Sequence, residues 1–411
     1  MPNLFQHFPL FTVIHDKNDY LCGRYYKRGL FMKSFLKFIG ALLLGSLIGL
    51  ICVIPIIVLG SGESFSTVVN KIFGPDALPY LAKAAMTIIL ICVAFFLQLI
   101  IHEGGHLVTG LLTGYRFVSF RILNWLLIRK DGRLQWRNFE LAGTGGQCLL
   151  APPDKPVDQI DTRWYNAGGV LANVITAVLA IVLMWTVDMP LWLHALMFLM
   201  AVIGGALALL NGIPMKVGGV ANDGLNLFQM EKDRPAKLCF CNILDVNARC
   251  QEGETYTQMP ERLFALPDPI DWENSMHVAS VLLAVTRMMA FHQWEDAYQL
   301  LTEAYNNKDN YMRLYQLEIE NMMTQVCIFT GRDDEARRHY TKEVAKHVSQ
   351  HAPTQSDKQL TLMAVALALD GDRPRAEQMF KELEARRDKY AHQSDVALSL
   401  DLMKWLLDNR S

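Results

Sequence analysis

Four apolar runs without a single Asp, Glu, Lys or Arg set the first constraint on this chain. They cover residues 38–60, 84–101 (extended N-terminally toward Pro79), 164–187 and 189–215. Each is long enough to cross a hydrocarbon layer of about 30 Å as a helix. A buried helix of a soluble protein seldom needs so much uninterrupted apolar length. The chain is 51% hydrophobic and 19% charged, against roughly 25% charged in soluble proteins. The apolar excess is confined to residues 34–230, and 231–411 has an ordinary soluble composition. The expectation is an α-helical polytopic membrane protein with about four spans, followed by an all-α soluble domain. Its parts are an N-terminal segment 1–33, a membrane domain 34–230, a connecting segment 231–271 and a helical domain 272–411. A formal net charge of −2 gives no global field that recruits nucleic acid.

Basic residues in the loops predict the orientation. Lys17, Arg24, Lys27, Arg28, Lys33 and Lys37 precede the first run. Arg116, Arg121, Arg129, Lys130, Arg133, Arg137, Lys155 and Arg163 lie between the second and third. The first and third loops hold only Lys71 and no base at all, respectively. This predicts a multi-pass protein of the cell membrane with its N-terminus, long second loop and C-terminal domain in the cytoplasm. Met32-Lys33-Ser34-Phe35 could pass for the start of a signal peptide. The run that follows is too long for one and reads as a retained span. Eight cysteines on the reducing side or inside spans argue for thiols rather than disulfides. Cys239-x-Cys241 with Cys250 fits no common zinc spacing.

His102-Glu103-Gly104-Gly105-His106 carries the chemistry. Positions i and i+4 lie above one another on a helix face, so two imidazoles at this spacing can share a metal ion. The intervening Glu103 can take a proton from a water there. The pattern ends a membrane helix, where such residues are costly unless paired or metal-bound. The alternative is a set of interfacial polar residues closing the span. A hydrolytic zinc site needs a third protein ligand. Residues 107–127 offer no Asp, Glu, Cys or His, so it must come from farther away. The candidate is Asp223, just past the fourth run, where Pro214 stops the helix and Gly218-Gly219 frees the backbone. Asp188 competes from the opposite side, and Asp154, Asp158 and Asp161 read as solvated loop charges.

His-Glu-x-x-His at the end of one span, with Asn211-Gly212-Ile213-Pro214 and then Asn222-Asp223-Gly224 at the end of a later one, resembles the site-2 protease family of intramembrane zinc metalloproteases. The resemblance covers residues 79–230. Gly168-Gly169 and Asn173 are similar to the family's middle-helix motif, with Val170 where the family usually has Pro. The stretch from Pro214 to Asp223 is longer than the family's usual spacing. The resemblance implies one zinc ion per chain held by His102, His106 and Asp223, with Glu103 as general base. It also implies Asn173 and Asn211 as polar groups near the scissile carbonyl.

The loop after the His motif has a β-prone texture. Asp131-Gly132 between apolar and basic runs predicts a hairpin beside the site, with an edge on which an extended substrate could pair. Gly143-Thr144-Gly145-Gly146-Gln147 lacks the Lys-Ser/Thr of a phosphate loop. It reads either as a flexible lining of the site or as a plain connector.

From Trp272 the pattern is helical. Gly331-x4-Ala336-x3-Tyr340 recurs as Gly371-x4-Ala376-x3-Phe380, with a weaker copy from Trp294 to Leu301. This resembles tetratricopeptide repeats, with a period longer than their roughly 34 residues. It predicts an α-solenoid of degenerate helix pairs able to bind a peptide or protein partner. The alternative is a generic helical bundle. The expected function is zinc-dependent endoproteolysis of membrane-embedded proteins. The alternatives are a non-catalytic membrane scaffold and a transporter, the latter requiring an inverted repeat that the spans lack.

Overall fold

The computed structural model describes residues 77–123, 125–130, 133–138, 145–217, 220–390 and 392–410, together with Gly62, Ser64, Ser66 and Thr67. The leader and the first apolar run lie outside the described residues. The chain divides into two compact units, one of them His15–Ala94 and the other containing Phe95–Ser411.

Among the described residues, three helices are long and apolar enough to cross a membrane. Helix α1 is Ala77–Leu112, α2 is Arg163–Thr186 and α3 is Leu191–Gly212. They match the second to fourth apolar runs. At 1.5 Å per residue, the 36 residues of α1 extend about 54 Å. That exceeds the roughly 30 Å of a hydrocarbon layer. Phe95, Phe96, Val178, Leu179, Phe198 and Val202 are exposed on these helices, as expected of faces that meet lipid. Between helices the contact is made by small residues. A Cβ on Gly105 would sit 2.2 Å from the carbonyl oxygen of Gly168, and one on Gly168 would meet Thr109 Oγ1 at 2.2 Å. The α1–α2 backbones meet there because neither position has a side chain.

A four-stranded antiparallel sheet follows α1. Its strands are β1 Arg116–Ile122, β2 Trp125–Lys130, β3 Arg133–Asn138 and β4 Gly146–Ala151, in the order β3-β2-β1-β4. Lys130 pairs with Arg133, so β2 and β3 form the expected hairpin, while Asp131-Gly132 lie outside the described residues. The sheet extends further than that hairpin. Gly146 and Gln147, the end of the glycine-rich stretch, form the head of β4 and pair with Ile122 and Arg121. Two short strands, β5 Lys216–Val217 and β6 Val220–Ala221, precede helix α4, Asp223–Gln229.

The remainder is helical. Residues 231–271, expected as a connector, contain helix α5, Arg234–Glu252. Its start is capped by Asp233 accepting from Ala236 N and its end by Gly253 at φ 90°, the left-handed stop that glycine favours. Phe240, Ile243, Leu244 and Val246 of α5 are buried. They share one apolar core with Tyr165 and Leu149 on one side and with Val281 and Leu402 on the other. Then come α6 Ser275–Ala290, α7 Trp294–Asn306, α8 Arg313–Phe329, α9 Asp333–His339, α10 Lys342–His351, α11 Ser356–Ala368, α12 Arg373–Ala385 and α13 Gln393–Asn409. The repeated motif has a structural meaning. Gly331 and Gly371 adopt φ 77° and 68° at the turns before α9 and α12, and Ala336 and Ala376 are fully buried. In the weaker copy His292 takes the left-handed position at φ 57°, and Ala297 is fully buried.

Candidate metal centre

The metal-ligand candidates come from two distant segments. His102, Glu103 and His106 lie on α1, all buried, and Asp223 opens α4, fully buried. His102 Nε2 and His106 Nε2 lie 3.2 and 3.3 Å from the same oxygen, Asp223 Oδ2, and 3.3 Å from each other. The three side chains form a buried group that can hold a metal ion. Two of the other acids considered are engaged elsewhere. Asp158 is bound by both ends of the Arg234 guanidinium at 2.6 and 2.8 Å, and Asp161 pairs with Arg163.

The tautomers of both imidazoles follow from their partners. His106 Nδ1 lies 2.7 Å from the main-chain oxygen of Tyr165. A carbonyl only accepts, so Nδ1 carries the proton and Nε2 presents its lone pair. His102 Nδ1 lies 2.7 Å from Asn173 Oδ1. The Asn173 amide is oriented in turn because its Nδ2 donates to the Gln98 main-chain oxygen at 3.0 Å and to Gln98 Oε1 at 2.7 Å. Gln98 Nε2 then donates to Met200 O at 2.8 Å, tying α1, α2 and α3 together. Two neutral imidazoles thus aim lone pairs at a shared point beside a carboxylate. That is the arrangement of metal ligands steadied from behind.

Asn222 sets the third candidate ligand in place. Its Oδ1 accepts from Leu225 N at 2.9 Å, capping α4, and from Met215 N at 3.1 Å. Its Nδ2 donates to Leu210 O at 2.9 Å and Ile213 O at 2.6 Å, at the unpaired C-terminal carbonyls of α3. The Asn222 N–H closes the neck by donating to Met215 O at 3.1 Å. Gly224 lets α4 approach α3, since a Cβ there would lie 2.1 Å from Gly212 O.

Glycines also make room around the site. A Cβ on Gly169 would fall 2.5 Å from both His102 Cε1 and His106 Nε2, and one on Gly146 would fall 2.6 Å from Glu103 Cγ. Glu103 therefore lies against the head of β4. Arg121, 1% exposed on β1, carries positive charge near it. Burial pushes its guanidinium down, and the field of the Glu103 carboxylate works against that.

Of the six residues singled out, His102, His106 and Asp223 converge, and Glu103 lies on the same turn of α1. Asn173 is engaged behind His102. The Asn211 side chain turns back on its own helix, donating to Leu207 O at 3.0 Å. Gln98 was missed in sequence, whereas Asn222, Arg121 and Gly146 were named there in the Asp motif, the loop bases and the glycine-rich stretch without these roles. Gln98 left a readable trace, as the one strongly polar residue of the run 84–101. No family model, curated protein or solved structure matches this chain.

Proposed function

We propose that this chain is a membrane-embedded zinc endopeptidase that cuts proteins within or next to their membrane spans. The observation that carries the reading is the triangle of ligand atoms at 3.2, 3.3 and 3.3 Å. Four ligands in a tetrahedron with bonds of about 2.0–2.1 Å are separated by about 3.3–3.4 Å. Calcium at about 2.3–2.6 Å would need wider spacing and more oxygens. Two imidazoles and one carboxylate fit the zinc donor set and leave one of four positions open. A zinc ion held there supplies a Lewis acid next to Glu103.

The other steps belong to the chain's own residues. Glu103 takes the proton of the attacking water and later passes it to the leaving amine. Asn173 and the Tyr165 carbonyl hold the two imidazoles in the required tautomer. A peptide bond must leave its helix to be reached, and a strand edge near Gly146 is suited to holding the unwound segment by main-chain hydrogen bonds. The exposed apolar faces of α1 to α3 keep the centre at bilayer depth, with the helical domain on the cytoplasmic side.

The test is metal analysis and turnover on purified full-length protein. One zinc per chain is expected in the wild type and in Glu103→Gln, with loss of zinc in Asp223→Ala. Glu103→Gln should cut a transmembrane reporter about 10²–10⁴-fold more slowly. Full zinc in Asp223→Ala, or unchanged cleavage by Glu103→Gln, refutes the assignment. A non-catalytic scaffold predicts no cleavage by either protein.

A further inference from the structure

Beyond the third metal-ligand candidate, α4, the β5–β6 pair and the start of α6 enclose a cavity of about 350 Å³. Its wall includes Asn226, Asp233, Asp271 and Glu273, with Lys216 and Lys232. Asn226 follows Asp223 by one turn of α4. It is 1% exposed, and its Oδ1 has no hydrogen-bond partner. A buried amide oxygen left so is costly and calls for a donor.

The charges in the wall make the same demand. Asp233 accepts from Ala236 N and Asn274 Nδ2, each at 2.9 Å, and Asp271 accepts from Glu273 N at 2.9 Å. These donors are neutral, and only Asp233, at the start of α5, also faces a helix N-terminus. Among the described residues none of the three carboxylates forms an ion pair. Lys216 Nζ is directed to the main-chain oxygen of Glu273 at 3.4 Å. Three carboxylates against two ammonium groups leave the wall with one net negative charge.

We infer that this cavity receives the ammonium or guanidinium group of a Lys or Arg in the polypeptide flanking a substrate's membrane span. The inference rests on the protease reading above and names its substrate class. Basic residues gather at the cytoplasmic ends of membrane spans. The cavity lies one helical turn from Asp223, so a span that reaches the metal carries its flank past it. Asn226 Oδ1 meets the cation at the floor, and Asp271 and Glu273, both exposed, meet it at the rim.

The test uses the full chain in phosphatidylcholine nanodiscs, zinc-loaded and carrying Glu103→Gln, so that binding is read without turnover. The probes are two fluorescent single-span peptides that differ only after the span, Arg-Arg-Arg in one and Gln-Gln-Gln in the other. The arginine peptide should bind about fivefold more tightly or better, the yield of a well-placed ion pair. Asp271→Asn with Glu273→Gln should abolish that preference, as should Asn226→Leu. The first variant changes only exposed positions, so its folding is not in question. Equal binding of the two peptides, no binding of either, or a preference that survives the double variant overturns the assignment. Turnover of both peptides by the chain with Glu103 intact is scored separately. A charge preference without any cleavage removes the protease reading and leaves the cavity's ligand assigned. Cleavage without a charge preference does the reverse.

Discussion

The Tyr165 carbonyl accepts from His106 Nδ1 at 2.7 Å, and the Tyr165 ring lies 6.3 Å from that of Phe240 on α5. The hydroxyl of the same residue donates to Cys148 O of β4 at 2.9 Å. One residue near the start of α2 thus touches a metal-ligand candidate, the sheet and the helical domain. Thr162 reinforces the junction by donating to Glu231 at 2.9 Å, and Glu231 is paired with Lys237 of α5 at 3.1 Å.

His102 depends on a side chain where His106 depends on the main chain, and only the former can be removed by substitution. Asn173→Ala should weaken zinc binding about 10- to 100-fold, the usual effect of losing a group that orients a ligand. Competition with a calibrated chelator measures this. Unaltered affinity would show that His102 needs no support from behind.

Two glycines in the spans should respond oppositely to the same change. Gly→Ala inside a helix ordinarily stabilises by about 0.5–1 kcal/mol. Gly205 on α3 has open space where a Cβ would go, so Gly205→Ala should be neutral or stabilising. At Gly169 the methyl meets both imidazoles at 2.5 Å, so Gly169→Ala should lose metal. Zinc content and thermal unfolding of the two variants provide the comparison.

Buried charge in the helical domain sets an acid limit on its stability. Glu318 of α8, 3% exposed, pairs with His347 at 2.6 Å and with the fully buried Lys358. Burial pushes its carboxyl up, but Lys358 and His347 outweigh it and hold the group well below the ordinary 4.5. Such a group adds stability that is fully present above its unfolded value and disappears as pH falls through the folded one. Unfolding followed by circular dichroism should therefore show stability lost below about pH 4.5, toward pH 2. Lys358→Met strands the carboxylate and should cost about 3–5 kcal/mol at neutral pH. A loss below about 1 kcal/mol would mean the pair is relaxed by water.

The helical domain should begin before α5 rather than after it. Ser394 donates to Cys250 O and Glu254 O at 3.2 and 2.9 Å, and Arg287 donates to Tyr256 O and Met259 O at 2.7 and 2.9 Å. A fragment of residues 232–411 keeps these bonds and the apolar face of α5. One of residues 272–411 loses both, and should be the less soluble and less stable. Equal unfolding midpoints would argue against α5 as part of that core.

The metal-ligand candidates were legible in sequence because their signals are local: a His pair at helical spacing, and an Asp beside helix-ending residues. The same holds for α1 to α3, whose lengths follow from uninterrupted apolar runs. Pairing of β1 with β4 was not legible, because it joins segments separated by the hairpin and leaves no periodic trace. Helix α5 did carry its stop and start, Asp233 with Pro235 at one end and Gly253 at the other. Its prolines and charges made the segment read as a connector. What no local pattern carries is the reason for Gly146 or Gly169, which becomes visible only when Glu103 and the imidazoles stand against them.

The Asn222 amide also changes what counts as distance along this chain. Because it fastens the residue after β6 to the residue before β5, the intervening loop hangs outside the path from α3 to Asp223. Its length is then free to drift, as one can lengthen a buttonhole's slack without moving the button. Variants of this chain with longer or shorter excursions between Met215 and Asn222 would keep the same centre. A search pattern with a fixed count between Pro214 and Asp223 would pass over them, whereas one anchored on the Asn-Asp-Gly triplet would not. The same loop is the natural place to insert a reporter peptide close to the metal without displacing a ligand.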